Sequence, residues 1–358
     1  MKYAISVPIG AWNDFLPFTL ESLKQQSESM EIALLDASND PRVKEIADQY
    51  DDILTYRRHG PDGGQSDAII EGWDNTSSEF IGWLNADDSL FPTALKQVSE
   101  CLSRSPDLDA VYGHSTIVDN DDRMTGYHFN VDSRSAKLRE GCIISQPSCL
   151  FRRSTFERVG GLNRDLHYCM DWDLWLRLED ADAKFEFLDA PLSRVLWDKD
   201  TKSASFNPTR RQELRRLIDT YTPEEKRDGI YKAFAIHAFA DMVWPISLRS
   251  KVTQWLRRAG PKVFGIRADG NLAVTADLQL VHYQTREASG LTLEFDNNPE
   301  DVGLADDDNI ADLARTKNQL KVRFKHPVGS AQAVTLKLVR NSTSEEAKLL
   351  FQHAEWQF

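Results

Sequence analysis

Two short clusters of carboxylates have the types and spacing to do chemistry. The first follows an apolar run, Phe80-Ile81-Gly82-Trp83-Leu84, which stops at Asn85-Ala86-Asp87-Asp88. The run has the length and content of a buried strand, and open α/β sheets bind ligands at the carboxyl ends of their strands. Adjacent acids at such a place commonly hold Mg²⁺ or Mn²⁺, which in turn grips substrate phosphates. A solvated capping turn before a helix at Thr93 accounts for the same residues without a metal. The second cluster, Met170-Asp171-Trp172-Asp173, heads a segment in which Leu174, Trp175 and Leu178 share a helical face. Acids in a first helical turn are also explained by capping and by the helix dipole.

The elements before these clusters alternate. Tyr3 to Val7 reads as a strand closed by Pro8, and Phe15 to Gln25 as an amphipathic helix. Ile32 to Leu35 is a second strand ending in Asp36; Pro41 to Gln49 is a helix with proline where its missing N–H is harmless. Ile53 to Tyr56 is a short third strand, Gly60 to Gly64 a loop, and Gln65 to Trp73 a helix. Repeated β-α units of this size imply an α/β fold with a parallel sheet and right-handed crossovers.

Composition sets the frame. A chain of 358 residues has room for two or three domains, and 41% hydrophobic residues is ordinary for a globular protein. No apolar run approaches the ~20 residues that span a bilayer, and Met1 to Pro8 lacks a leader pattern. Four irregularly spaced cysteines point to free thiols in a reducing compartment, so the expectation is cytoplasmic. A net charge of -13 argues against nucleic acid as a partner.

Several motifs in order carry a resemblance. Ser6-Val7-Pro8, Leu35-Asp36-Ala37-Ser38-Asn39-Asp40, Asp62-Gly63-Gly64-Gln65-Ser66-Asp67-Ala68-Ile69 with Gly72, and Trp83 to Asp88 resemble glycosyltransferase family 2. So do Ser145 to Arg153, Val159-Gly160-Gly161-Leu162 and Met170 to Leu178, giving a resemblance over roughly residues 1–205. It implies a GT-A fold, a nucleotide-diphosphate sugar donor, and inversion at the anomeric carbon.

The resemblance also implies roles. The loop after Pro8 and the carboxylate of Asp36 would hold the base, although Asp36 also suits the cap of the next helix, a job Asn39 or Asp40 does better. Asp62, Gly64 and Asp67 would frame a phosphate site at a helix start, or only a turn with a first-turn acid. Asn85 would bond a ribose hydroxyl; it stands at the first place of the family's Asp-x-Asp signature, a departure that occurs in many relatives, and cannot neutralise a metal, leaving Asp87 and Asp88 as the ligands of Mn²⁺ or Mg²⁺. Gln146 and Ser148 would read acceptor hydroxyls. Asp171 would be the single base an inverting displacement needs, with Trp172 lining the acceptor pocket and Asp173 capping or supporting it. Where relatives carry a metal-touching histidine this chain has Asp198, and Lys202 with Ser203 would close over the pyrophosphate. The processive signature Gln-x-x-Arg-Trp is absent, which implies one sugar per encounter.

Beyond residue 207 the resemblance ends. Residues 208–264 read as a helical extension and 265–358 as a small antiparallel β sandwich. The stretch 244–258 carries two tryptophans and no acid. It suits either the inner face of an anionic membrane, with a lipid-linked glycan acceptor, or packing on the catalytic domain. Two function classes stand: a metal-assisted transferase of bacterial polysaccharide or glycoconjugate synthesis, and a non-catalytic nucleotide-sugar or glycan binder. A sugar nucleotidyltransferase would need a Gly-rich basic loop that Pro8 to Asn13 lacks.

Overall fold

The computed structural model describes residues 3–128, 137–197, 201–202, 205–242, 262–305, 308–340 and 349–358. Asp198, Ser203 and the stretch 244–258 lie outside the described residues. The chain forms two compact units: Met1–Ser115, Asn130–Val195 and Ser205–Ala235 in the first, and Thr116–Phe129, Leu196–Ala204 and Ile236–Phe358 in the second.

The first unit opens with β1 (Tyr3–Ile9), α1 (Leu16–Lys24), β2 (Met30–Asp36), α2 (Pro41–Gln49), β3 (Tyr56–His59), α3 (Gln65–Asp74) and β4 (Phe80–Trp83). β1 pairs in parallel with β2 and β4, and β2 with β3. Then come β5 (Ser89–Leu90), α4 (Ala94–Arg104), β6 (Ala110–Val118), β7 (Met124–His128, in the second unit), β8 (Leu150–Arg152), α5 (Arg153–Arg158) and α6 (Met170–Asp180). β9 (Phe185–Leu196), α7 (Pro208–Tyr221) and α8 (Glu224–Met242) follow. The sheet order is β3-β2-β1-β4-β8-β6, with β8 antiparallel to both neighbours and β5 paired to β9. The helical segment expected as a separate extension from 208 contributes α7 and the start of α8, to Ala235, to this unit.

Two strands differ from expectation for local reasons. β1 does not end at Pro8 but runs through it to Ile9, with Pro8 opposite Leu35. Ser6 accepts from Leu84 on the β4 side and Ile9 from Ala37 on the β2 side. By alternation Pro8's missing N–H falls on the β4 side, beyond the last β1–β4 pair, Ser6↔Trp83, so no ladder bond is lost. The third strand starts three residues late, because Ile53 and Leu54 bond back to Tyr50 and Asp51 in a turn. Its residues Tyr56-Arg57-Arg58-His59 read poorly as a strand, yet β3 is the sheet edge, where charge is usual.

An aromatic cluster fixes α3, β4, β8 and α6 to one another. Trp73 meets Phe156 edge-on at 4.9 Å, Trp83 stacks on Trp175 at 6.1 Å, and Trp73 Nε1 donates to Gly82 O at 2.9 Å. Each buried tryptophan contributes roughly 4–6 kcal/mol of gross transfer free energy. α3 lies close on the sheet because Gly72 has no side chain. A Cβ there would meet the Ser6 hydroxyl and sit 2.8 Å from Leu35 Cδ2 and 3.0 Å from Ala33 Cβ.

The second unit adds β10 (Lys262–Val263), β11 (Ile266–Arg267), β12 (Thr275–His282), β13 (Ala288–Phe295) and β14 (Val302–Leu304). β15 (Ile310–Arg315), β16 (Gln319–Val328), β17 (Gln332–Arg340) and β18 (Phe351–Gln357) complete it. β12-β17-β14 form one antiparallel sheet and β15-β16-β13-β18-β7 another. Leu278 and Leu336 from the first sheet share an apolar core with Leu291 and Val322 from the second. Among the described residues no helix is long and apolar enough to cross a membrane.

Gly72→Ala should lower stability by about 1–3 kcal/mol through overpacking of α3 on β1 and β2. Urea unfolding of the full chain measures this, and an unchanged midpoint would mean the helix seats elsewhere.

Candidate active site

The turn after β4 is built by its own polar groups. Asp88 N closes it onto Asn85 O at 3.0 Å, and Thr19 Oγ1 anchors Asp88 O at 2.7 Å. Asn85 is engaged at both ends of its amide. Its Oδ1 accepts from Gln65 Nε2 at 2.8 Å; its Nδ2 donates to Asp88 Oδ2 at 3.0 Å and lies 3.5 Å from Gln146 Oε1. Gln146, 8% exposed, donates through Nε2 to Trp83 O at 2.6 Å. Asn85 and Gln146 together form a strut that ties α3 to the carboxylate turn. Ser148 is likewise buried, donating to Gly113 O and Ser145 O.

Asp87 differs from its neighbours. Burial pushes its carboxyl above the ordinary range, opposed only by its own backbone N–H. Among the described residues no basic side chain pairs with it. A desolvated carboxylate without a countercharge favours either a proton or a cation. Among the described residues no three His, Cys, Asp or Glu side chains converge on one point. Mg²⁺ typically takes one or two carboxylates and fills its shell with substrate phosphates and water, so Asp87 beside the buried Asp88 fits such an ion.

At the start of α3, Gly64 occupies the N-cap with φ 124°, a backbone conformation that suits glycine, and no side chain caps the helix. Asp62 accepts from Gly64 N at 2.9 Å and pairs with Arg58 at 3.2 Å; Asp67 pairs with Arg164 at 2.9 Å. Both acids are thus committed to holding the loop, and only the uncapped backbone end of α3 suits an anion. Asp36, at the end of β2, is buried. It accepts from Ser38 N and Oγ at 2.8 and 2.6 Å and faces His59 Nδ1 at 2.8 Å. Asp40, not Asp36, caps α2.

The second cluster sorts in the same way. Asp171 accepts from Trp172 N at 2.8 Å, and the Cys142 thiol lies 3.8 Å from its Oδ2. Burial raises its pKa, against smaller lowering by backbone N–H groups and by Arg210. Trp172 does not line a pocket: it is 2% exposed, its ring packs near Phe234, and Nε1 donates to Leu138 O at 2.7 Å. Asp173 neither caps α6 nor reaches solvent. It is 4% exposed and bound to Arg177 at 2.7 Å, one helical turn on, while Arg177 Nη1 donates to Val159 O. The helix entrance is held instead by Glu213 of α7, whose carboxylate accepts from the backbone N–H groups of His167, Tyr168 and Cys169 at 2.8, 2.8 and 3.0 Å. A glutamate flanked by arginines at helical spacing reads as a surface residue, so this one was not legible. Lys202 is exposed and belongs to the second unit; Ser203 is outside the described residues.

Two bridges bring the clusters together. Ser66 Oγ lies 3.1 Å from Met170 Sδ, next to Asp171, while its neighbour Gln65 holds Asn85. The segment from Cys142 to Gln146 touches Asp171 at one end and Asn85 at the other. The first turn of α3 is thus flanked by both acids' segments.

A half-parallel sheet with a carboxylate turn after its fourth strand, closed by an antiparallel strand, is the GT-A architecture. Residues 6–160 match the model of glycosyl transferase family 2. An uncharacterised glycosyltransferase of Rickettsia typhi is 22% identical over 219 residues, 57% of this chain and 67% of that protein. The O-antigen biosynthesis protein RfbC of Myxococcus xanthus is 27% identical over 160 residues, 44% of this chain but only 12% of that protein. Among solved structures, S. aureus TarS 1–349 in complex with UDP-GlcNAc superposes with a TM-score of 0.50 at 16% identity, covering 73% of this chain and 82% of that one.

Glu213→Ala leaves three backbone N–H groups without their acceptor and should cost about 2–4 kcal/mol. Chemical denaturation reads the loss; a change below a few tenths would show that water replaces the carboxylate.

Proposed function

We propose that this protein transfers one sugar per encounter from a nucleoside-diphosphate sugar to a hydroxyl of a glycan or lipid-linked glycan, with inversion, in bacterial polysaccharide or glycoconjugate synthesis. The observation that carries this is the sorting of acids around the first turn of α3. Asp62, Asp67 and Asp173 are neutralised by arginines, whereas Asp87 and Asp171, both half-buried, have no salt-bridge partner among the described residues. Holding such carboxylates out of water destabilises the fold, and active sites are where that is tolerated.

In the proposed reaction Asp171 accepts the proton of the acceptor hydroxyl as its oxygen bonds to the anomeric carbon. The bond from that carbon to the diphosphate oxygen breaks on the opposite face, and the nucleoside diphosphate leaves with the electron pair. Its raised pKa makes Asp171 a stronger base than an ordinary aspartate. Asp87, with Asp88, would hold Mn²⁺ or Mg²⁺, which supplies Lewis-acid stabilisation of charge on the leaving diphosphate when bound. The uncapped start of α3 adds N–H donors on that side, and Asp36 accepts an N–H from the base. UDP-GlcNAc in TarS and the O-antigen role in the name of the Myxococcus relative support the donor and product classes.

Asp171→Asn should abolish transfer while nucleotide binding persists, and it should also raise the melting temperature near pH 7. The sign follows from linkage. With the folded pKa above the unfolded one, stability is full below the unfolded pKa and falls as pH rises through the folded one, so at neutral pH the charge is a burden that asparagine lacks. Normal turnover by the variant would remove Asp171 as the base.

Asp87→Ala should lose the extra thermal stabilisation that Mn²⁺ gives in the presence of UDP. Equal shifts for the variant and the parent would remove Asp87 as a ligand.

A further inference from the structure

The charged edge strand β3 is wired to the carboxylate at the end of β2. The parallel register sets Arg57 beside Leu34 and His59 beside Asp36, so Arg57 and His59, two residues apart, share a face. Arg57 is pinned from below: Nη2 binds Asp48 at 2.6 Å and Nη1 binds Asp51 at 2.9 Å. Its Nε and Nη2 lie 3.3 and 3.1 Å from His59 Nε2. A guanidinium has donors only, so His59 Nε2 must accept, and the ring proton of neutral His59 then sits on Nδ1. That nitrogen is 2.8 Å from Asp36 Oδ2 and donates to it.

The donors around Asp36 can be counted. Oδ1 takes Ser38 N and Ser38 Oγ, and Oδ2 takes His59 Nδ1. A carboxylate offers about four acceptor positions, so one remains, on Oδ2. Three donors and no acceptor beside it leave that last position fixed in direction.

We infer that Arg57 and His59 are positioning residues of the nucleobase site, locking Asp36 as an acceptor that selects bases presenting a ring N–H. This rests on the reading of Asp36 as the base contact. Uracil N3 and guanine N1 carry such a hydrogen; cytosine N3 and adenine N1 are acceptors and would meet a carboxylate lone pair to lone pair. Rejection of a partner that leaves a buried polar group unpaired is the strongest discrimination a small site makes. If the Arg57–His59 pair only tied β3 to α2, its removal would change stability and leave base preference alone.

Calorimetric titration of the full chain with UDP, GDP, CDP and ADP in Mn²⁺ tests the inference, alongside a melting curve for each variant. The parent should bind UDP or GDP at least about tenfold more tightly than CDP and ADP. His59→Ala should erase most of that ratio by weakening the preferred nucleotide while CDP affinity stays nearly constant. His59→Asn, whose amide N–H reaches toward the position of Nδ1–H, should restore much of it. Loss of the ratio in Asp36→Asn with retention in His59→Ala and Arg57→Leu would overturn the relay and leave the Asp36 reading standing. An unchanged ratio in Asp36→Asn would overturn that reading itself. A parent that prefers CDP or ADP would overturn the selectivity outright.

Discussion

The seating of the first turn of α3 is the contact on which the site depends. Gln65 and Ser66 are consecutive, yet one holds the strut to the carboxylate turn and the other meets the methionine beside Asp171. Consecutive residues on a helix point about 100° apart, so one turn can serve two neighbouring segments at once. The depth of that turn is set by Gly72, Trp73 and Trp83, none of which does chemistry. Ser6 joins in from β1, donating to Ile69 O at 2.9 Å in the space that a Cβ on Gly72 would invade. Placement of the acids is therefore a packing problem first and an electrostatic one second.

Electrostatics then sorts the acids. The ion pairs of Asp62 and Asp173 are local, with Arg58 and Arg177 four residues away, whereas Arg164 reaches Asp67 of α3 from a segment distant in sequence. Partly buried pairs of this kind define loop geometry more than they add net stability. Asp87 and Asp171 carry the opposite burden, desolvation without a paired cation, which raises both pKa values. A divalent ion would relieve the first and an acceptor proton the second. Glu213 shows how the rest of the fold compensates, since its three backbone bonds hold the entrance to α6 without consuming the Asp171 carboxylate.

Sequence patterns revealed the sheet, the carboxylate turn and the head of α6 because each combines an apolar period with a break at a chemically distinct residue. Direction of side chains was not legible. Trp172 and Asp173 belong to the same motif as Asp171, but a helix turns neighbours to different faces, and here both face the core. Asn85 and Gln146 are polar groups beside a ligand end of the sheet, where a substrate contact and an internal strut have identical composition. Only the bonding partners separate them. The strands of the second unit were legible from alternation, whereas the grouping of α7 with the first unit depended on contacts that a linear pattern does not carry.

The edge strand shows why charge patterns need a partner before they can be interpreted. Tyr56-Arg57-Arg58-His59 looks like a loop by propensity, since arginine and histidine are not strong strand formers. At an edge, cations discourage another chain from pairing, and that alone would justify two arginines. The register adds a second constraint, because a parallel partner puts His59 level with Asp36 and Arg57 two residues behind it on the same face. Shifting the strand by a single residue would turn Arg58 toward Asp36 and supply a guanidinium where the sequence instead supplies an imidazole N–H. A cation there would compete for the remaining lone pair on Oδ2, whereas an imidazole N–H takes one lone pair and leaves the other. The late start of β3, forced by the turn at Ile53 and Leu54, is therefore what fixes the chemistry at the end of β2.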